Sequence, residues 1–523
     1  MDDASAAADR DDAILRTLTL DTERSLTAGY KPYAIVDIGS NSVRLVVYER
    51  LARAPIPRFN EKSLCRLGEG LAQTGVIGSE NFRRTVEAVR RFRAIADAMG
   101  VARIDATATE AMRRASNGDA LRKAITEASG LEIRILSGED EARHAALGVV
   151  SGFFRPVGLV GDMGGGSLEV AEALGDRVGE RWVSLPLGAL PVEALLEEGP
   201  DKAKKAVDLA LDEGLPPALT DPVFYPVGGG WRALAKAHMA VTGAPLPVVH
   251  GHTVETKELR AFAKALWRSK GLDKASEAAV EAAVPARRLR TLPAAALVLD
   301  RTLKHLAPEK VVFSALGLRE GWLYAQLSEA ERSQDPLVEG AALIGLAAAR
   351  VPGFAEALAR WTAGLFPGES LAETRLRVAA CALSDMAWRD HQDLRASETF
   401  RRVLQFPFIG IEHPERVFLA AALHARYSGK SDDPVLSPAI ELLSKPLQKR
   451  AAILGRATAL AYRLSAGAPS VLDSSRLCIG TDRLTLEVGR AARVPDSEVV
   501  GSRLDALAAA IGLKRSETVE MDG

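Results

Sequence analysis

Short apolar runs alternate with amphipathic segments over roughly the first 330 residues, and this pattern predicts an α/β fold. Residues 33–49 read as a strand, a turn of small residues and a second strand. Residues 81–99 carry apolar side chains at helical spacing and predict an amphipathic helix. A short strand running into a helix is predicted over 102–115, and a further strand over 131–137.

The same theme begins again after residue 150. Residues 157–174 predict a strand, a glycine-rich turn and a second strand, while 223–239 and 310–327 each predict a strand, a small-residue turn and a helix. Recurrence of an apolar strand, an aspartate, a small-residue turn and another apolar strand indicates a duplicated α/β fold. We expect its two halves to face each other across a cleft.

After about residue 333 the strand signals stop, and the chain becomes rich in alanine and leucine with helical periodicity. One short strand at 483–490 and a last helix are expected near the end. The predicted divisions are a disordered tail at 1–30, lobe I at 31–144, lobe II at 145–332 and a helical domain at 333–523.

Composition narrows the range of functions. A net charge of -1 over 523 residues argues against a globally basic DNA-binding protein, although a local basic channel remains compatible with it. Three widely spaced cysteines suggest neither a disulfide framework nor a zinc cluster, and they favour the reducing cytoplasm. Neither a membrane-spanning run nor a secretory signal is recognisable in the sequence, so we expect a cytoplasmic protein without a membrane partner.

Two aspartate-led turns carry the most specific chemistry. Small residues let the backbone approach a ligand and leave N–H groups free to form an anion-binding nest, while the aspartate can hold Mg²⁺ against phosphate oxygens. An ordinary hairpin would also use glycine and aspartate, but two copies about 125 residues apart favour phosphate binding. A third glycine turn opens a helix whose N-terminus can receive an anion. The aspartates are Asp37 and Asp162; the turn residues are Gly39, Ser40, Asn41 and Ser42, then Gly164, Gly165, Gly166 and Ser167, and finally Gly228, Gly229 and Gly230.

The motifs DIGSNSVRLVVYE, TATEAMR, SGEDEARHAALGV and VGDMGGGSLEV resemble signatures of the exopolyphosphatase and guanosine pentaphosphate phosphohydrolase (Ppx/GppA) family. The resemblance covers about residues 31–330 and extends more weakly into the helical region. It implies an α/β + all-α protein with the duplicated actin-like (ASKHA, ribonuclease H-like) two-lobe ATPase fold, followed by a helical HD-like domain. It also implies Mg²⁺ as cofactor and a homodimer.

The resemblance assigns roles to individual residues. It implies that Glu141 is the catalytic base that orients water, whereas helix-dipole charge suffices to explain the two acidic residues before it. Glu169 is expected to join Asp37 and Asp162 at the metal. Arg113 and Arg288 are expected to meet phosphate, and Arg319 also resembles a family position. The family often has glycine where this chain has Ala295, which leaves that loop's geometry open.

The helical region departs from a working HD metal site. The best candidate is Ser384 followed by Asp385, where histidine belongs in place of serine, and we expect no metal site there. Isolated histidines on helices are more often structural than metal-binding. Basic residues in this region suit either a polyanion channel or an ordinary solvated helix face. The histidines are His391, His413 and His424, and the basic residues are Arg395, Arg401, Arg402 and Arg416.

These expectations favour processive hydrolysis of terminal phosphate from inorganic polyphosphate. Removal of the 5′ phosphate of guanosine pentaphosphate is the alternative within the family, and the motifs do not separate these two substrates. The large helical domain favours the polymer. Two alternative functions belong to other classes of protein. One is an ATP-dependent ASKHA kinase or ATPase, and the other is a catalytically inactive sensor of polyphosphate or alarmone. The joint presence of the four candidate acidic residues argues against the sensor.

Overall fold

The computed structural model describes residues 14–18, 31–215, 222–428, 433–489 and 497–521. It divides into two compact units, one formed by residues 30–332 and the other by 333–523 together with the N-terminal residues 1–29. Helix α1 (14–18) buries Ile14 and Leu18 in the core of the second unit. The rest of the tail predicted at 1–30 lies outside the described residues.

The unit of residues 30–332 contains eleven strands and fourteen helices in its described part. The strands are β1 (Tyr33–Ile38), β2 (Val43–Tyr48), β3 (Pro57–Ser63), β4 (Arg103–Ala108), β5 (Ile133–Ile135), β6 (Val157–Met163), β7 (Leu168–Leu174), β8 (Arg177–Leu185), β9 (Val223–Val227), β10 (Thr253–Glu255) and β11 (Lys310–Val312). The helices are α2 (Leu71–Thr74), α3 (Ser79–Ala98), α4 (Glu110–Arg114), α5 (Gly118–Ser129), α6 (Gly138–Gly152), α7 (Ala189–Glu198), α8 (Pro200–Gly214), α9 (Gly229–Thr242), α10 (Thr256–Arg268), α11 (Lys274–Ala283), α12 (Ala286–Leu289), α13 (Leu292–Leu306), α14 (Leu318–Ala325) and α15 (Glu329–Arg332).

The two sheets of this unit share one topology. The first has the order β3-β2-β1-β4-β5, and the second contains β8-β7-β6-β9-β11 with β10 added at its edge. In each sheet the first strand pairs antiparallel with the second and parallel with the fourth along the chain. The repeated strand order is the duplication that the sequence pattern predicts, and the mixture of parallel and antiparallel strands with covering helices makes each half an α/β lobe.

Two helices connect the lobes by crossing each other. Helix α6 follows the last strand of the first sheet but packs on the second sheet, whereas α14 follows the second sheet and packs Trp322 and Leu323 on the first. The crossing is close because it is lined by glycine. A Cβ added at Gly321 would lie 1.7 Å from the carbonyl oxygen of His144. The boundary predicted between residues 144 and 145 therefore falls inside α6.

The second unit is mainly helical but ends in a sheet. Its α-helices after α1 are, in the described ranges, α16 (Pro336–Ala348), α17 (Phe354–Ala363), α18 (Leu371–Leu383), α19 (Arg395–Gln405), α20 (His413–Ser428), α21 (Lys445–Ser465), α22 (Pro469–Asp473) and α23 (Glu498–Ile511), with 3₁₀ turns at Pro434–Leu436 and Ala439–Leu442. Strands β12 (Ser475–Ile479), β13 (Arg483–Gly489) and β14 (Arg515–Met521) form one mixed sheet. The sequence predicted only the middle strand, so the expectation of a single short strand was wrong.

The four arginines considered for a channel each have hydrogen-bond or ion-pair partners within the helical unit. Arg416 is 1% exposed and donates to the carbonyl oxygens of Phe406 and Phe408, so it lines neither a channel nor a solvated face. Arg395 donates to the carbonyl oxygens of Trp388 and Asp390. The other two pair with local carboxylates: Arg401 with Glu398 and Arg402 with Asp390.

Candidate active site

The two aspartate-led turns lie against each other between the lobes. Gly39 and Gly164 close their hairpins by donating to the carbonyl oxygens of Ser42 and Ser167, at 3.1 and 2.9 Å. A Cβ added at Gly165 would lie 3.0 Å from the Cβ of Ser40, so only glycine allows this approach without displacement. The duplicated hairpins therefore meet at their tips.

Backbone carbonyls of these turns are occupied, whereas several N–H groups are not. Ser40 and Asn41 accept from the segment after β3, and residues Gly164 to Gly166 accept from 188–190 at the start of α7. Within the described part of the chain, no acceptor takes the N–H groups of Ser40, Asn41, Gly165 and Gly166. Paired carbonyls and free N–H groups are what a backbone anion nest requires.

Asp37 and Asp162 end the strands that lead into the turns. Burial raises the pKa of Asp37, against the attraction of Arg319, whose Nε lies 3.8 Å from Asp37 Oδ2. Burial raises the pKa of Asp162 to about 6; Arg232 opposes this shift and the charge on Asp37 adds to it. Two carboxylates that repel each other in a desolvated place would be stabilised by a cation.

Glu141 lies in the first turn of α6 and is 7% exposed. Arg113 donates from Nη1 to Glu141 Oε1 at 2.5 Å and also to the carbonyl oxygen of Leu136. Burial raises the pKa of Glu141 to about 7 although Arg113 opposes the shift. The preceding Asp140 caps the helix by accepting from Ser137, which accounts for its charge without catalysis.

Glu169 lies on β7 and is buried next to Glu141 of α6. Its Oε1 accepts from Ser184 Oγ at 2.9 Å, and a second hydrogen bond comes from the side chain of Ser167. Burial and the neighbouring charge of Glu141 raise the pKa of Glu169 well above its usual range. The structure thus brings Glu141, Glu169 and Asp162 into one acidic group.

The third glycine turn opens α9 beside the guanidinium of Arg288. Gly228 adopts a φ of 104°, a conformation that glycine adopts readily. A Cβ at Gly229 would lie 2.4 Å from Arg288 Nη2, and a Cβ at Gly230 would lie 3.0 Å from the Cβ of Ala295. The helix N-terminus and Arg288 consequently present positive charge at the same place.

Residues 46–330, more than half of the chain, match the model of the Ppx/GppA phosphatase family, and residues 337–518 match the model of the exopolyphosphatase C-terminal domain. The chain belongs to the Ppx/GppA phosphatase family. Exopolyphosphatase 1 of Mycobacterium tuberculosis is 29% identical over 325 residues, which cover 59% of this chain and 92% of that protein. Retrograde regulation protein 2 of Saccharomyces cerevisiae is 27% identical over 433 residues, covering 76% of this chain and 72% of the yeast protein.

Solved structures of the family include the Ppx/GppA protein of Aquifex aeolicus, with 25% identity and a TM-score of 0.48 over 56% of this chain and 96% of that one. An exopolyphosphatase from Cytophaga hutchinsonii has 21% identity and the same TM-score of 0.48, over 56% of this chain and 97% of its own.

A group of cations lies beside this Ppx/GppA site, and only its member Arg288 was predicted from the sequence. Strand register places Arg44 opposite Asp37 on one side and opposite Lys62 on the other. The charges of Arg232, Arg287 and Arg288 act on Lys62 as well. We call these five residues the cation group: Arg44, Lys62, Arg232, Arg287 and Arg288. Strand pairing brings Arg44 and Lys62 together, and the arginines of α9 and α12 join them through the tertiary fold. The alternation of residues along β2 and β3 could have indicated a shared face.

Ppx/GppA phosphatases generally depend on a divalent metal ion. The described residues contain no set of three histidine, cysteine, aspartate or glutamate side chains arranged to hold an ion by themselves. Asp37 and Asp162 nevertheless fit a hard cation that takes its remaining ligands from phosphate oxygens and water, because magnesium often binds with one or two carboxylates and substrate phosphate. Burial raises the pKa of both carboxyl groups, and a bound cation would favour their charged forms. Glu169 already accepts two hydroxyl hydrogen bonds.

No helix in the described ranges has both the length and the apolar content needed to cross a bilayer.

Proposed function

We propose that this chain is an exopolyphosphatase, which hydrolyses the terminal phosphoanhydride bond of inorganic polyphosphate and releases orthophosphate. The observation that carries the proposal is the pairing of two backbone anion nests with the cation group on one side and the buried base Glu141 on the other. The chain's membership of the phosphatase family and its likeness to exopolyphosphatase 1 support the same activity.

In this mechanism the free N–H groups of the two turns bind the oxygens of the terminal phosphate. Gly165 and Gly166 donate from one side, and Ser40 and Asn41 donate from the other. Phosphoryl transfer depends mainly on such positioning and on charge stabilisation. Asp37 and Asp162, joined by Glu169, are the residues that would hold Mg²⁺, which when bound neutralises charge on the transferring phosphate.

Glu141 orients a water molecule for attack on the terminal phosphorus and accepts one of its protons. A general base works best when its pKa lies near the working pH, and burial raises the pKa of Glu141 to about 7. Arg113 fixes the carboxylate through the 2.5 Å hydrogen bond. As the new P–O bond forms, the bond to the next phosphate breaks, and Arg44 and Arg288 of the cation group stabilise the negative charge left on the shortened chain.

Guanosine pentaphosphate is the second candidate substrate, and one observation favours it. A cavity of about 520 Å³ adjoins both turns at Ser40 and Gly166, and its wall combines Leu64 and Leu190 with Arg287. A nucleoside has both apolar and polar surface to place in such a cavity. Polyphosphate remains the leading proposal because the cation group suits a longer polyanion.

Phosphate release from long-chain polyphosphate, guanosine pentaphosphate and ATP, measured side by side, tests the proposal. We expect the highest kcat/KM for polyphosphate, and a clear preference for ATP would make the protein an ASKHA-type ATPase instead. Measurements in EDTA and with added Mg²⁺ test the metal. The proposal fails if none of the three substrates releases phosphate with the metal present.

We also propose a fold family, an origin of the helical unit, a cellular location and an oligomeric state. The shared strand order of the lobes supports an actin-like, ribonuclease H-like ATPase fold. An HD-like origin of the helical unit is proposed from the family resemblance, and Asp385, beside Ser384, is bound by Arg350 at 2.7 Å. The three free cysteines in the described residues support the cytoplasm. A homodimer is proposed from the family resemblance.

A further inference from the structure

Strand pairing places Lys62 next to another cation, which disfavours its charged form. Lys62 on β3 is the direct cross-strand neighbour of Arg44 on β2, and Arg44 is in turn opposite Asp37 on β1. Directly opposed residues share a face of the sheet with Cβ atoms about 5 Å apart, where like charges destabilise the pairing. One carboxylate at the inner end of this row therefore faces two successive cations.

The row lies on the cleft side of the first sheet. Val46 and Tyr48, which alternate with Arg44 along β2, pack against Trp322 and Leu323 of α14. The intervening Leu45 and Val47 pack on the opposite face. Lys62 and Arg44 consequently point to the same side as the aspartate of the first turn.

Asp37 attracts Arg44 across the strand pair, but neither Arg44 nor Lys62 forms an ion pair in the described ranges. In the described ranges, the side chains of Arg44, Lys62, Arg287 and Arg288 make no hydrogen bond or ion pair, although three of them are partly buried. Burial, with the charges of Arg288 and Arg44 adding to it, lowers the pKa of Lys62 to about 8. Because burial and mutual repulsion disfavour these charges, we expect the cations to bind an anionic ligand.

The row also has a direction. β3 is the outermost strand of its sheet, so Lys62 is the last charged position before the edge. Neighbouring strands are about 4.8 Å apart, which places Lys62 about 10 Å from Asp37. A chain whose terminal phosphate lies at the turns would pass Arg44 and then Lys62 on its way to solvent.

We propose that Lys62, together with Arg44, binds the phosphate groups that follow the terminal one, and so makes the enzyme select chains of three or more phosphates over pyrophosphate. This inference rests on the proposed polyphosphatase function. The two residues are specificity-determining, because they contact the part of the substrate that remains after each hydrolysis. Pyrophosphate has no third phosphate and cannot use the outer cation.

Steady-state kinetics on tripolyphosphate, long-chain polyphosphate and pyrophosphate test the proposal, with Lys62→Met, Lys62→Arg and a matched control. The control is Lys123→Met, which removes the same charge from an exposed position on α5, a helix that packs against α3. We expect Lys62→Met to raise KM about tenfold for the two longer substrates, as for loss of one charge-assisted hydrogen bond, with kcat within about twofold. Its constants for pyrophosphate should not change, and Lys62→Arg should restore most of the affinity.

A second measurement tests the charge contact directly. Binding of long-chain polyphosphate, followed as a function of salt concentration, should show a shallower salt dependence in Lys62→Met than in wild type or Lys123→Met, because one fewer cation is engaged. Equal behaviour of the two lysine variants, or an equal loss on pyrophosphate, would overturn the proposal. Wild type that binds polyphosphate through Lys62 without hydrolysing it would refute the polyphosphatase function and leave this inference standing.

Discussion

Replacing the buried base by its neutral isostere should separate catalysis from stability. Glu141→Gln keeps the size of the side chain but cannot accept a proton from water. We expect kcat to fall by about 10²- to 10⁴-fold, the usual contribution of general base catalysis. Phosphate release at saturating polyphosphate measures this, and a decrease smaller than about threefold would refute the assignment.

The same substitution should stabilise the folded protein in alkaline solution. Burial raises the pKa of Glu141 from 4.5 to about 7, and this value already includes the attraction of Arg113. The folded state therefore binds more protons than the unfolded state between these pH values, and stability falls as pH rises through this window. The full cost is about 3 kcal/mol above pH 7.

Urea denaturation at pH 5 and pH 8.5, both in EDTA, measures this effect. Glu141→Gln should gain up to about 3 kcal/mol over wild type at pH 8.5 and much less at pH 5. The matched control is Glu139→Gln, because Glu139 is exposed in the same helical turn and should change stability little at either pH. An equal response of the two variants at pH 8.5 would show that burial does not destabilise the charged form of Glu141.

Three further outcomes follow from the site. Gly165→Ala should lower kcat/KM at least tenfold because its Cβ would push the facing turns apart, whereas Gly78→Ala, which has nothing within 4 Å, should keep wild-type kinetics. Asp162→Asn should raise the magnesium concentration for half-maximal activity more than tenfold, as measured by a metal titration of phosphate release. The pH profile of kcat/KM should rise through about pH 7, and Arg113→Met should move that limb to higher pH, since Arg113 lowers the pKa of Glu141.

Local sequence pattern was sufficient to predict the two hairpins. The turns after Asp37 and Asp162 are short-range features, because a strand, a glycine-containing turn and a second strand are adjacent in sequence. Helix α3, predicted at 81–99, begins and ends within two residues of that range. The position of Glu141 followed from the family motif and not from periodicity.

Features made by distant segments were beyond a local pattern. Arg44 and Lys62 become neighbours through strand register, and Arg288 joins them from a helix more than 200 residues away. Strand β14 has mostly polar side chains and no buried residue, so it carries little apolar signal before its partner β13 is known. Glu110 was also overlooked, although its carboxylate lies against Gly166 and pairs with Arg114.

The exchange of α6 and α14 between the lobes has a practical consequence for fragment expression. A fragment ending before Gly138 would lack the α14 side chains that cover its sheet, and the complementary fragment starting there would leave Trp322 and Leu323 of α14 without that sheet to cover. Each piece would then expose apolar area and tend to aggregate. The two halves of the duplicated fold are therefore expected to mature as one cooperative body, and a split-protein reporter built at this junction should regain activity only when both pieces are refolded together.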